Sequence, residues 1–148
     1  MRDCAGNVTT SRVYYLDIEP VDDGDDDGVP DLLDCAPADA SAFATPTEVC
    51  GVSFLPDRAT MTWDSQAATA GPGTAYDVLR GALDGFPVGS SDTETCLEPR
   101  SPDSQTLDFS EPGPSSGLYY LVRGVNMCGT GSYGLDSNAA ERVSAACP

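Results

Sequence analysis

The sequence predicts an all-β protein, a two-sheet sandwich preceded by an N-terminal extended strand and an acidic loop. Three observations carry this expectation. From about residue 46 onward, short β-patterned runs follow one another, separated by clusters of Pro, Gly, Ser and Asp. Near the N-terminus, Val13-Tyr14-Tyr15-Leu16-Asp17-Ile18 alternates like a strand and stops at Pro20. Between the two, any helix begun at Asp31 is cut off within about two turns by Pro37.

Residues 1–18 read as a turn at Gly6-Asn7 followed by one strand. A lone strand cannot bury itself, so this segment is expected to end a preceding domain or to be donated to another one. Residues 19–45 form an Asp-rich linker and residues 46–148 the sandwich. Its expected strands are Glu48–Leu55, Ala59–Asp64, Ala75–Arg80, Thr93–Leu97, Gln105–Phe109, Leu118–Val125 and Arg142–Ala146. Alternation assigns the core to Val52, Phe54, Met61, Trp63, Tyr76, Val78, Leu107, Phe109, Leu118, Tyr120 and Val122. At 148 residues and 40% hydrophobic content, the chain suffices for one such core and an appendage.

The linker carries the most specific pattern. From Asp23 to Asp34 the chain reads Asp-Gly-Asp-Asp-Asp-Gly-Val-Pro-Asp-Leu-Leu-Asp, with carboxylates at positions 1, 3, 5, 9 and 12 and glycine at position 6. Ca²⁺ is a hard cation that takes six to eight oxygens, and this spacing wraps the chain so that Asp23, Asp25, Asp27, Asp31 and Asp34 converge, with the Val29 carbonyl at position 7. Between Asp17 and Asp39 there are ten acids and no Arg, so an ordered segment requires a counter-ion. No helix pair flanks the loop, and position 12 is Asp rather than the longer Glu. A structural clip is expected here, not a switching sensor.

Composition narrows the function classes. The net charge is −17, with seven Arg, no Lys and no His, which argues against nucleic acid and anionic membrane surfaces as partners. No apolar run reaches spanning length, so no membrane insertion is expected. Met1-Arg2-Asp3 opens no signal peptide, which suggests a segment of a longer exported polypeptide. Six cysteines in an acidic, Gly- and Pro-rich chain point to an oxidising, extracellular or cell-surface setting. Zinc is disfavoured, because there is no Cys-x-x-Cys and no His. The absence of His and Lys also removes Ser-His-Asp, Cys-His and Schiff-base machinery, and no enzyme is expected.

Two resemblances add to this reading. The unhelical Asp-rich loop followed by Asp34-Cys35, over about residues 22–50, resembles the thrombospondin type 3 repeat and related bacterial extracellular calcium repeats. Such repeats imply a calcium-stiffened connector. Residues 46–147 resemble a fibronectin type III module: Thr60-Met61-Thr62-Trp63 matches its strand B, Tyr76-Asp77-Val78-Leu79-Arg80-Gly81 its strand C, and Tyr120-Leu121-Val122-Arg123-Gly124-Val125-Asn126 its strand F. Leu118 stands where the family often carries a corner tyrosine. Residues 1–18 are similar to the closing strand of an immunoglobulin-like domain.

Six cysteines allow fifteen pairings, and the sequence alone does not choose among them. The repeat resemblance implies Cys35–Cys50, the fibronectin-like topology implies Cys96–Cys128, and Cys4 and Cys147 are left to bond each other or chain outside this segment. Together these expectations describe a non-catalytic, calcium-stabilised extracellular module of an adhesin, fibre or filament. Its partners would be neighbouring domains or copies of the same chain, joined head to tail by strand donation. The alternative is a carbohydrate- or peptide-binding accessory module of a secreted enzyme.

Overall fold

A computed structural model describes residues 22–89 and 93–147. The strand expected over residues 8–18 and Cys4 lie outside the described residues. The remainder is built from strands in two antiparallel sheets, with very little helix. One sheet has the order β1-β2-β5, formed by Ser53–Phe54, Thr60–Thr62 and Gln105–Leu107. The other has the order β4-β3-β6-β7, formed by Thr95–Ser101, Ala75–Ala82, Leu118–Asn126 and Gly129–Thr130. One helical turn, α1 (Ala67–Ala70), links the sheets between β2 and β3, and a 3-10 turn (Leu83–Gly85) follows β3. Among the described residues no helix is long and apolar enough to cross a membrane.

Alternation explains the main core. Met61 of β2 faces Tyr76 and Val78 of β3 and Val122 of β6; Val49 and Trp63 complete the cluster, with Leu97 and Tyr120 against its rim. The expected Val52, Phe54, Leu107 and Phe109 are not in it, each being well exposed, and Leu118 is only half-buried. The reason lies in the register. Met61 pairs with Thr106, so β5 turns Thr106 and Asp108 inward and Leu107 and Phe109 outward. A one-residue change of register exchanges the two faces of a strand. Asp108 fixes that register: it accepts from Arg80 Nη1 at 3.0 Å and from the Tyr120 hydroxyl at 3.0 Å, tying β5 to the opposite sheet.

Burial acts to raise the Asp108 pKa but is outweighed by hydrogen bonds from the Ser110 hydroxyl and amide, Arg80 and Tyr120, which hold the carboxyl below its usual range. A depressed carboxylate contributes stability above its unfolded pKa and loses it as pH falls through the folded one. Wild-type stability should therefore decline below about pH 4, and Asp108→Asn should flatten that decline in urea titrations at stepped pH.

A second apolar cluster lies on the outer face of the four-stranded sheet. Leu79, Tyr119 and Tyr133 are buried there, with Val88, Leu121 and Ala146 packed against them. The covering chain includes the C-terminal segment, where a strand was expected over Arg142–Ala146. No strand forms; β7 is instead the short hairpin partner of β6. In the C-terminal segment Val143 points to solvent and Ser144 is buried, the reverse of an apolar-inward strand. What holds it is polar and covalent: Arg123 Nη2 donates to the Cys147 carbonyl at 2.9 Å, the Ser144 hydroxyl donates to Glu94, and Cys147 is bonded to Cys96.

Candidate metal centre

The loop from Asp22 to Asp34 closes on itself. The Asp31 amide donates to the Asp22 carbonyl at 2.9 Å, and the Leu33 and Asp34 amides both donate to the Pro30 carbonyl. Gly28, at position 6, has φ +92°, a conformation that favours glycine. Inside this frame Asp23, Asp25, Asp27 and Asp34 each have one oxygen taken by a main-chain amide. Asp23 Oδ2 accepts from Gly28 at 3.1 Å, Asp25 Oδ1 from Asp27 at 3.2 Å, Asp27 Oδ1 from Val29 at 2.7 Å, and Asp34 Oδ1 from Ala36 at 2.7 Å.

The other oxygen of each is the informative one. Asp23 Oδ1, Asp25 Oδ2, Asp27 Oδ2 and Asp34 Oδ2 are all shielded from solvent and have no hydrogen-bond partner. Carboxylate oxygens from Asp23, Asp25 and Asp27 lie within 4.8 Å of one another. Buried polar atoms are nearly always paired, and buried charges are paired or coordinate a metal. The two salt bridges among the described residues, Arg80–Asp108 and Arg123–Asp77, are both in the sandwich. Burial raises the Asp25 pKa above its ordinary value; the Asp27 amide opposes this, and the charges of Asp27, Asp34 and Asp23 add to it. An oxygen-only set with amide-fixed carboxylates and bare inward lone pairs fits a hard divalent cation.

Three of the expected ligands, Asp31, Asp34 and Val29, stand apart from the group of Asp23, Asp25 and Asp27, and Asp34 has a carboxylate oxygen gathered beside the sulfurs of Cys35 and Cys128 instead. Asp31 is not gathered with Asp23, Asp25 and Asp27; its Oδ1 accepts from the Gly24 amide at 2.7 Å. That suits position 9, which often reaches its ion through water. Val29, whose carbonyl the spacing singled out, donates its amide to Asp27 Oδ1.

The cysteines differ from expectation. Cys35 is bonded to Cys128, not to Cys50, and Cys96 to Cys147, not to Cys128; Cys50 is free and exposed. The physical reason is where the chain runs after the loop. Phe43 and Ala44 donate to the Ala70 carbonyl, Gly73 donates to the Ser41 carbonyl, and Asn126 Nδ2 bridges the carbonyls of Ala44 and Ala70 at 2.9 Å each. A Cβ at Gly71, whose φ is +115°, would sit 2.3 Å from the Ser41 carbonyl oxygen, which shows how closely this segment is laid on the sandwich. Docked in this way, Cys35 meets the β6–β7 turn.

The loop is thus stapled to one end of the sandwich, a feature the sequence reading missed. The signal available was Asn126, which entered the expectations only as the last residue of the strand-F match. A surface groove of about 400 Å³, lined by Phe86, Asn138, Glu141 and Arg142 among others, lies away from the loop and gathers no comparable set of bare polar atoms. Compared with protein-family models, curated proteins and solved structures, the chain finds no match.

Proposed function

We propose that this chain is a non-catalytic, calcium-clipped structural module of an extracellular or cell-surface protein. The observation that carries the reading is the set of four shielded, unpartnered carboxylate oxygens in the Asp23–Asp34 loop. Ca²⁺ would be held by Asp23, Asp25, Asp27 and Asp34, with the Val29 carbonyl and Asp31 completing the shell. It supplies charge neutralisation and stiffness. Two disulfides are compatible with an oxidising compartment.

The fibronectin type III-like reading of the sandwich is supported by strand order. β2, β3 and β6 are the strands that resemble B, C and F, and β2 lies in one sheet while β3 and β6 are neighbours in the other, as this class of sandwich requires. The accessory sugar-binding alternative has less to stand on, because Trp63, the single tryptophan, is 5% exposed and belongs to the core.

Calcium should stabilise the protein measurably. With an affinity of order 10⁻⁴–10⁻³ M, as in extracellular modules, about 10 mM Ca²⁺ adds roughly 1.4–2.7 kcal/mol. Thermal melts in calcium against chelator should show that shift in the wild type and lose it in Asp25→Asn/Asp27→Asn. Equal melting temperatures with and without calcium would refute the clip.

The filament version of the proposal pairs residues 8–18 with an edge strand of another copy, since both sheets, as formed by the described residues, are open and end in edge strands. Deleting residues 1–18 should leave a folded, calcium-competent module that no longer associates in light scattering. Identical monomeric behaviour of the intact and truncated chains would exclude this version.

A further inference from the structure

We propose that the Cys35–Cys128 disulfide is the positioning element of the calcium cage, so that thiol–disulfide exchange at this bond sets the cage's affinity; the inference rests on the calcium reading above. Asp34 is the most buried of the four aspartates with a bare oxygen, at 9% exposure, and its Oδ2 is that oxygen. A carboxylate oxygen of Asp34 lies within 4.8 Å of both sulfurs, and Cys35 is its chain neighbour. Among the described residues, the hydrogen bonds of residues 22–36 find their partners within residues 22–39. None of these bonds reaches a described residue of the sandwich. The disulfide is its covalent bond to that body and lies beside its last expected ligand.

Opening the bond frees the Asp34 end of the cage, and calcium must then order it again on binding. A dithiol reductant does this in a balanced exchange. Its thiolate attacks one sulfur, the other leaves as a thiol through a mixed-disulfide intermediate, and the reductant's second thiol closes its own disulfide; two electrons and two protons pass to the protein. Reductant can reach this bond, because Cys35 is exposed and Cys128 half-buried, whereas Cys147 of the other disulfide is buried. Coupling is reciprocal: the factor by which opening weakens calcium binding is the factor by which calcium disfavours opening.

The test is calcium titration calorimetry on the oxidised wild type and on full-length Cys35→Ser/Cys128→Ser, with circular dichroism to establish that the sandwich is intact. The variant should bind roughly tenfold more weakly, within the usual range of coupling. Equal affinities would overturn the proposal while leaving the calcium reading in place. No binding by the oxidised wild type would overturn both. Should the variant not fold, the wild type in dithiothreitol redox buffers decides: calcium should shift the midpoint of Cys35–Cys128 opening, read by alkylation and mass spectrometry, and an unmoved midpoint would overturn the proposal.

Discussion

Asp77→Ala is expected to destabilise the fold by about 3–5 kcal/mol, among the largest effects of any single substitution. Asp77 is 1% exposed in the middle of β3. Its Oδ2 accepts from Arg123 Nε at 2.9 Å and Nη2 at 2.8 Å, and its Oδ1 accepts from the Arg100 amide at 3.0 Å. Arg123 in turn donates to the Cys147 carbonyl and stacks 4.8 Å from the Tyr133 ring centre. Removing the carboxylate leaves a guanidinium with little access to water, an unpaired Arg100 amide, and an Arg123 no longer held in place beneath the C-terminal segment. Urea unfolding followed by circular dichroism measures this, and a loss below 1 kcal/mol would mean that water reaches Arg123 and the pair is not structural.

Trp63→Ala should cost a similar amount, about 3–5 kcal/mol, through a different cause. The indole packs edge-on against Tyr76 at 5.5 Å between ring centres and fills the space between the sheets. Its truncation leaves a cavity that short strands on either side cannot collapse to fill. Trp63→Phe should cost distinctly less, because the indole Nε1 is buried without a partner and its removal relieves an unmet donor. If both substitutions cost the same, the cavity explanation fails.

What was legible in the sequence follows from how local its physics is. β3 and β6 were placed closely because Tyr76 and Val78, and Tyr120 and Val122, alternate over strands long enough to display the period. β1 and β5, only two and three residues long, gave alternation too little length, and the charge pairing of Asp108 with Arg80 decided the face instead. Leu79 and Tyr119 were passed over for a related reason. One-sided alternation assumes that one face of a sheet meets water, but here the C-terminal segment covers the outer face and buries both sides of β3.

The Asp23–Asp34 spacing was readable because every group that shapes the loop is within a dozen residues. Main-chain amides of Asp27, Gly28, Val29 and Ala36 fix the carboxylates that the spacing singled out. The disulfides were not readable in that way. Cys35–Cys128 spans 93 residues and depends on Ser41, Phe43 and Ala44 docking beside Ala70, a tertiary event with no local pattern.

The central claim is that the bare oxygens of this loop enclose an ion. Crystals of the full chain grown in calcium chloride and measured at long wavelength would locate it directly. An anomalous difference peak is expected about 2.3–2.6 Å from carboxylate oxygens of Asp23, Asp25, Asp27 and Asp34 and from the Val29 carbonyl. A loop ordered as described here with no peak among those oxygens would contradict it.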